Sequence, residues 1–241
     1  MEIEGKRVLI SGAARGLGRT LVRAFLDAGA SKVVAGTRNQ EDRTSLFVEF
    51  GGHVSPIQLD VTSDWDLDAA ERLRPVDILV NNAGVASFGN PLTMSLEDVR
   101  NEINVNYLGA LQLARIVAPA MIEQRDGMIV NIATAFAKVN LPLVGTYCAS
   151  KAALLSLGQA LRAYLAEHNV RVITVMPTTF DSDMSRGADV PKMTKEFVAG
   201  EILAAIREER HDPPIGDEAK GIFEALRNDP LALEKTLMNY R

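Results

Sequence analysis

Tyr147 and Lys151 are the two side chains whose types and spacing most directly suggest chemistry. They stand four positions apart in a segment whose apolar residues recur at helical spacing, so both side chains lie on one face of a predicted helix. A nearby ammonium lowers the pKa of a phenol from its ordinary value of about 10, and such a phenol exchanges a proton with an alcohol or ketone near neutral pH. Taken alone, the pair is also typical of an amphipathic helix surface, so its meaning depends on its surroundings.

A glycine-rich segment near the start of the chain is the second candidate for chemistry. It reads Ser11-Gly12-Ala13-Ala14-Arg15-Gly16-Leu17-Gly18 and lies between a predicted strand and a predicted helix. Glycines permit a tight turn, and the free backbone amides at a helix N-terminus bind phosphate groups. Such a segment is also typical of a simple tight connection, but the strand before it and the helix after it favour phosphate binding.

The elements that must position these residues follow from the apolar pattern. Six short apolar runs predict strands, at residues 7–10, 32–35, 54–58, 76–80, 128–132 and 170–175. Segments with helical spacing alternate with them, which indicates crossover connections and a parallel sheet. The predicted fold class is α/β: one domain over residues 1–241, a doubly wound Rossmann-type parallel sheet of about seven strands with helices on both faces.

Two predicted helices are long, one over residues 96–122 and one over residues 146–168. In the second, apolar residues cover more than one stripe, whereas a helix packed only against its own sheet shows a single apolar face. A partner subunit would cover the extra face, which predicts a homodimer or homotetramer. A helix sunk deep in a large core is the alternative.

Composition limits the classes of partner. The chain has 26 basic and 31 acidic residues and a formal net charge of −5, which does not supply the basic face that nucleic acid requires. It begins without a basic and then apolar leader, and no apolar run approaches the roughly 18 residues that span a bilayer, so we expect a cytoplasmic protein without membrane contact. The single cysteine, Cys148, and the spacing of His53, His168 and His211 predict no disulfide and no metal site.

Several motifs together resemble the short-chain dehydrogenase/reductase family. The glycine-rich segment is similar to the family's T-G-x-x-x-G-x-G turn, with Ser11 in place of the threonine. The resemblance continues through Asn81-Asn82-Ala83-Gly84, Asn106 and Tyr147-Cys148-Ala149-Ser150-Lys151, and it covers roughly residues 5–184. Any one motif is a weak signal, whereas several in the right order and spacing are a strong one.

The resemblance assigns catalytic roles to four residues. It implies that Tyr147 is the general acid/base and that Lys151 assists it and holds the nicotinamide ribose. Thr134 stands where the family places a serine that hydrogen-bonds the substrate oxygen. Threonine keeps the hydroxyl group, while its extra methyl group restricts rotation of the side chain. Asn106 aligns with the family's helix-kinking asparagine that holds a proton-relay water, and an Asn on an exposed helix face is the alternative.

The end of the second strand predicts the cofactor. An acidic residue there would bind the ribose hydroxyls and repel a 2′-phosphate, but the sequence reads Gly36-Thr37-Arg38. Arg38, with Arg15 from the glycine turn, can hold a phosphate, so we expect NADP(H). Asp60 resembles the family's adenine contact and is equally typical of a turn. The predicted cofactor-binding residues are Gly12, Arg15, Gly16, Leu17, Gly18, Thr37, Arg38, Asp60, Val61, Asn82, Ala83, Gly84, Tyr147, Lys151, Pro177, Phe180 and Ser182.

The segment after the sixth strand departs from the family's P-G-x-x-x-T pattern. Thr178 replaces the glycine, which predicts ordinary backbone dihedrals there, and Ser182 stands where a threonine hydroxyl meets the carboxamide. By family position the predicted substrate-binding residues are mostly apolar: Val85, Ala135, Phe136, Val144 and Met184. An apolar small-molecule ketone, aldehyde or secondary alcohol fits this lining better than a sugar.

These observations support an NADP(H)-dependent oxidoreductase that interconverts a carbonyl and an alcohol. The alternative from another class is a redox-sensing module that binds NADPH without turnover; the Thr134 replacement favours it, and the intact Tyr147 and Lys151 count against it. An epimerase or dehydratase with bound NAD is disfavoured by the glycine spacing, by the absence of an acid at Gly36 and by the short C-terminal region.

Overall fold

A computed structural model describes residues 1–73, 75–187 and 189–238. Seven parallel strands form one sheet in the order β3-β2-β1-β4-β5-β6-β7. Their bounds are β1 Arg7–Ile10, β2 Lys32–Thr37, β3 Val54–Gln58, β4 Ile78–Asn81, β5 Gly127–Ile132, β6 Val170–Pro177 and β7 Pro214–Ile215. All six predicted strands are confirmed, and the two-residue β7 adds a seventh at the sheet edge.

Nine helices are described between and after these strands. Their bounds are α1 Gly16–Asp27, α2 Gln40–Phe50, α3 Asp64–Ala70, α4 Leu96–Ile103, α5 Gly109–Gln124, α6 Gly145–Leu165, α7 Lys195–Arg207, α8 Asp217–Asn228 and α9 Pro230–Leu237. Asn39, Ser63, Ser95 and Thr194 cap α2, α3, α4 and α7 through their side chains, and each accepts a hydrogen bond from the first helical turn.

The sheet is covered on both faces, as the predicted fold class requires. Along β1, Val8 and Ile10 point to one face and pack with α1 and α7, whereas Leu9 points to the other face and packs with α3 and α5. Because successive side chains of a strand alternate between faces, a strand with both faces covered is apolar throughout. The doubly wound fold is confirmed.

The predicted long helix over residues 96–122 is present, but it changes its winding partway. A single π turn, Asn104–Leu108, separates α4 from α5, and such turns often occur at functional sites. The whole segment Leu96–Gln124 is long and apolar enough to cross a membrane by length and composition alone. In this fold, Leu113, Val117 and Met121 of α5 instead pack against the sheet, as in a core helix.

Helix α6 matches the predicted second long helix. Leu154, Leu155 and Leu165 are buried, whereas Ala160 and Tyr164 on another side are exposed. Leu157 and Leu161 are half-buried and pack against the core, so the helix is only partly covered within the single chain.

Candidate active site

A cavity of about 470 Å³ opens at the carboxyl ends of the strands. Its walls come from the segments that follow each of the strands β1 to β6, and it lies where the strand order reverses between β1 and β4. Open parallel sheets bind ligands in the crevice at such a reversal. Both the glycine-rich turn and the Tyr147–Lys151 pair line this one cavity.

The glycine-rich turn is shaped by two close backbone approaches. A Cβ on Gly18 would lie 2.1 Å from the carbonyl oxygen of Gly12, and a Cβ on Gly12 would lie 2.9 Å from the Cα of Ala83. Gly16, the first residue of α1, has φ +52°, a left-handed conformation that favours glycine, and a Cβ there would meet no atom within 4 Å. The turn therefore leaves open space against the N-terminus of α1, and this space fits a pyrophosphate.

Ser11 and Asn82 tie the glycine-rich turn to the segment after β4. Ser11 Oγ accepts hydrogen bonds from the backbone amides of Asn82 and Ala83 at 3.1 and 3.0 Å. Asn82 Nδ2 donates to the carbonyls of Ser11 and Gly12, both at 3.0 Å. Asn82 lines the cavity as predicted, and these bonds also fix the shape of the turn.

At the far end of the cavity, Arg38 is exposed and lies beside the N-terminus of α2. Thr37 Oγ1 donates to the carbonyl of Asn39 at 3.3 Å, so this hydroxyl is already engaged with the backbone. A Cβ at position 36 would lie 2.6 Å from Leu59 Cδ2, so a side chain there would require Leu59 to move. Asp42 lines the same wall, a carboxylate that the sequence interpretation did not consider.

Asp60 takes part in a local turn, which was the alternative to the predicted adenine contact. Its Oδ1 accepts hydrogen bonds from the backbone amide and the hydroxyl of Thr62, at 2.9 and 2.7 Å. Asp60 also lines the cavity, together with Val61, so the structure brings both residues to the predicted site.

Lys151 and Tyr147 face the cavity from the first two turns of α6. Lys151 is 4% exposed, its Nζ donates to the carbonyl of Ile132 at 2.8 Å, and burial lowers its pKa to about 8. Its Nζ lies 5.9 Å from the centre of the Tyr147 ring. Burial raises the pKa of Tyr147 well above its ordinary value, with smaller contributions from Cys148 and Glu102. Burial is thus the largest cause acting on this pKa in the structure, and the lowering by Lys151 stays a prediction.

Thr134 lines the cavity, but its hydroxyl already has partners. Thr134 Oγ1 donates to the carbonyl of Pro177 at 3.1 Å and accepts from the amide of Phe136 at 3.3 Å. A hydroxyl carries one proton, so donation to a substrate oxygen requires the O–H to turn away from Pro177. Thr178 avoids the left-handed region, as predicted.

Three predicted site residues do not line the cavity. Asn106 is 1% exposed inside the π turn, where its Nδ2 donates to the carbonyl of Val85 and to Ser150 Oγ, both at 2.8 Å. The exposed-face alternative for Asn106 is therefore wrong. Ala135 is fully buried and packs against Ile222 of α8, because the chain turns inward after Thr134. Pro177 is buried in β6 and offers only its carbonyl to Thr134.

All the other predicted residues line the cavity. They include Phe180, Ser182 and Met184 after β6, and Val85, Phe136 and Val144 on the substrate side. Besides Asp42, sequence reasoning gave no role to two acidic side chains. Asp183 pairs with Arg15 of the glycine turn, and Glu102 is fully buried on α4. Their neighbours in sequence are charged or polar, which is typical of solvent-facing segments and gave no signal.

This chain is similar to known proteins over most of its length. Residues 6–191 match the family model described as short chain dehydrogenase. A D-erythrulose reductase of Gallus gallus is 36% identical over 189 residues, which cover 77% of this chain and 76% of that protein. A carbonyl reductase (NADPH) 2 of Sus scrofa is 37% identical over 191 residues, which cover 77% of this chain and 76% of that protein. The crystal structure of a short chain dehydrogenase from Burkholderia cenocepacia, in complex with NADP, is 35% identical with a TM-score of 0.93 and covers 99% of this chain and 100% of that one.

Proposed function

The chain belongs to the short-chain dehydrogenase/reductase family, and we propose that it is an NADP(H)-dependent reductase of apolar ketones or aldehydes. Its class of reaction is NAD(P)-dependent oxidoreduction between a carbonyl and an alcohol. The preference for NADP(H), the apolar substrate and the residue roles below are our proposals.

One observation carries the proposal: a single cavity contains both the dinucleotide cradle and the acid/base pair. Gly16, which has open space beside it, lines the same cavity as Tyr147 and Lys151. A bound nicotinamide cofactor supplies hydride transfer to or from the substrate carbon. The chain's own residues must then bind the substrate oxygen and exchange its proton.

Tyr147 performs the proton exchange in this proposal. Because its pKa is raised by burial, the phenol is protonated at neutral pH and donates its proton to the carbonyl oxygen during reduction. Lys151, held by the carbonyl of Ile132, places a positive charge beside the phenol as it becomes a phenolate. Thr134 donates its hydroxyl proton to the same substrate oxygen after turning from Pro177.

The preference for NADP(H) rests on charge at the far end of the cavity. Arg38 and Arg15 both line the wall, and Gly36 leaves no carboxylate at the end of β2. Two guanidinium groups bind a 2′-phosphate through charge-assisted hydrogen bonds. Two of the similar proteins, the NADPH carbonyl reductase and the solved NADP complex, carry this cofactor in their names.

The substrate preference rests on the lining beside Tyr147. Val85, Phe88, Phe136, Val144 and Met184 surround this part of the cavity with apolar groups. A polyol would leave its hydroxyl groups without partners against such a wall, which costs free energy. An aryl or alicyclic carbonyl compound fits the wall better.

A second candidate is a module that binds NADPH without turnover. The engaged hydroxyl of Thr134 favours it, since the substrate oxygen would lack a donor if that bond to Pro177 persisted. The two candidates share cofactor binding and differ only in turnover.

We also propose a homo-oligomer, because α6 exposes Ala160 and Tyr164 on the side away from the sheet. Light scattering of the purified protein measures the mass directly. A mass of 26.1 kDa would contradict this proposal.

Fluorescence titration with NADPH and with NADH, followed by a panel of aryl and alicyclic ketones, tests the function. We expect tighter binding of NADPH and oxidation of NADPH with at least one ketone. Tyr147→Phe should abolish turnover and leave NADPH binding nearly intact, because the substitution removes only the phenolic oxygen. Tight binding without turnover across the panel would favour the sensing module.

A further inference from the structure

Large apolar side chains are exposed at the edge of the cavity. Phe88 lines the cavity and is nevertheless 57% exposed. Leu143 is 45% exposed and lies between Pro142 and Val144, of which Val144 lines the cavity. Exposed apolar groups that adjoin one another mark a place where a ligand or a partner binds. We call this surface the apolar rim, and we define it by Phe88, Leu141, Leu143 and Val144.

Hydrogen bonds join the two segments that carry the apolar rim. The backbone amide of Gly89 donates to the carbonyl of Leu143 at 2.9 Å, which places Phe88 beside the second segment. From the inside, the amide of Ser87 donates to Oε1 of Glu102 at 2.6 Å, and the Glu102 side chain is fully buried. The backbone at the rim is therefore held by the protein itself, and the exposed side chains of Phe88 and Leu143 are free to contact a ligand.

Both segments that carry the apolar rim are uncharged. Residues 78–96 and 139–150 contain no Asp, Glu, Lys or Arg, although 24% of the whole chain is charged. By contrast, the segment after β6, which also lines the cavity, carries the ion pair between Asp183 and Arg186. A charged or strongly polar ligand would lose its hydration at the rim without gaining a partner there. The apolar rim therefore favours an apolar ligand.

We propose that the apolar rim binds the distal part of the substrate, and that the substrate is a carbonyl compound whose alkyl or aryl chain reaches from Tyr147 past Phe88 to Leu143. This inference rests on the proposed function and adds a substrate class to it. Phe88, Leu141 and Val144 line the cavity and belong to the rim, so a chain that leaves the cavity there passes directly onto apolar side chains. Complete burial of one CH₂ group strengthens binding about fourfold, and half-complete burial about twofold.

The dependence of kcat/KM on chain length measures this contact. In a series of para-alkylacetophenones from methyl to hexyl, kcat/KM with NADPH should rise about two- to fourfold for each added CH₂ group. Leu143→Ser should reduce the rise for the longer members and leave the methyl compound unaffected, because Leu143 lies outside the cavity lining. Phe88→Ser should reduce the rise over the whole series. Leu231→Ser removes a leucine that is 69% exposed on α9, and this matched control should keep the wild-type slope.

A binding measurement gives the same slope without turnover. In para-alkylacetanilides the ketone is replaced by an amide carbonyl, which is not reduced. Isothermal titration calorimetry in excess NADP⁺ measures their Kd. The Kd should fall about two- to fourfold for each CH₂ group in the wild type and in Leu231→Ser, and less steeply in Leu143→Ser, or in Phe88→Ser if the first variant is insoluble. A Kd that does not change with chain length in the wild type would overturn the proposal.

Two further outcomes separate the apolar rim from its alternatives. A Kd that depends on chain length in a protein that reduces no ketone would support the rim and contradict the proposed function. If a second copy of this chain covers the rim instead, Leu143→Ser should lower the mass measured by light scattering and leave the chain-length dependence unchanged. That result would overturn the proposal.

Discussion

Arg15 Nε lies 3.1 Å from Asp183 Oδ2, so an ion pair joins the glycine-rich turn to the segment that follows β6. Asp183 also pairs with Arg186, three residues further along. Both members of the Arg15–Asp183 pair line the cavity. If Arg15 is a ligand of the 2′-phosphate, as we propose, then Asp183 competes with the cofactor for the same guanidinium.

Removing the charge of Asp183 should therefore strengthen NADPH binding. Because Arg15 is 75% exposed on its side chain, the pair contributes at most about 1 kcal/mol, and Asp183→Asn should lower the Kd for NADPH by up to about fivefold. The Kd for NADH should stay constant, since NADH lacks the 2′-phosphate. Fluorescence titration measures both, with Asp189→Asn as the control in the same segment. Equal changes for the two cofactors would mean that Arg15 does not contact the phosphate.

Arg38→Asp should reduce NADPH affinity selectively. A hydrogen bond to a charged group contributes about 1.5–3 kcal/mol, so the loss should be about 10- to 100-fold. Arg38 shares its wall with Asp42, and a second carboxylate there would repel the phosphate further. Arg43→Asp makes the same charge change on α2, where Arg43 instead contacts Gln40 and Gln58, and should have a much smaller effect. A similar loss of NADH affinity in Arg38→Asp would remove the phosphate argument.

Gly18→Ala should disrupt the glycine-rich turn. Its Cβ would lie 2.1 Å from the Gly12 carbonyl oxygen, and backbone on both sides must shift to accommodate it. We expect a loss of about 1–3 kcal/mol in unfolding free energy, together with weakened NADPH binding. Gly200→Ala, in α7 with open space around it, should instead stabilise the helix by up to about 1 kcal/mol. Thermal unfolding compares the two, and equal effects would contradict the steric explanation.

Nearly all the residues predicted for the cofactor line the cavity, for a physical reason. Motif residues such as Gly12, Asn82 and Thr37 stand at or just after the carboxyl ends of strands, and parallel strands bring these ends to one edge. Ala135 stands only one residue after Thr134, yet the short turn between Ala135 and Ala137 directs it into the core. The spacing of apolar residues along the chain does not predict a turn this short.

The buried polar side chains show a second limit of sequence reasoning. Asn106 and Glu102 lie among charged and polar neighbours in α4 and the π turn, which is typical of a solvated helix face. Their burial depends on the segment from Val85 to Ser87 folding back against them, a tertiary contact between residues about 15 to 21 positions apart. The pKa of Tyr147 likewise depends on burial that no local pattern reveals.

Thr134→Val and Thr134→Ser should separate the hydroxyl from the methyl group. Valine keeps the shape and removes the donor to the substrate oxygen, so we expect kcat to fall by about 10²-fold. Serine keeps the donor and rotates more freely, so turnover should be retained. Steady-state kinetics with the best ketone of the panel, and circular dichroism as a check on folding, give the answer. Full activity in Thr134→Val would assign substrate-oxygen binding to another group.

Lys151→Met should stabilise the protein at neutral pH while abolishing turnover. Burial lowers the pKa of Lys151 from 10.5 in the unfolded chain to about 8, so its ammonium is disfavoured by folding. Below pH 8 both states hold the proton and this cost is fully present. Above pH 8 the folded protein releases the proton while the unfolded chain keeps it, so the stability of the wild type rises with pH until about 10.5.

The comparison is best made between pH 7 and pH 9.5, because unfolded tyrosines begin to ionise near pH 10 and oppose the trend. Over this window the unfolding free-energy advantage of Lys151→Met should shrink by about 2 kcal/mol. The effect acts only over the roughly 1.5 pH units above pH 8, and proton linkage contributes about 1.36 kcal/mol for each of them. Urea unfolding at each pH measures it. Lys220→Met, which removes an exposed ammonium by the same substitution, is the matched control. A constant advantage of Lys151→Met across the window would mean that Lys151 is not destabilised by burial.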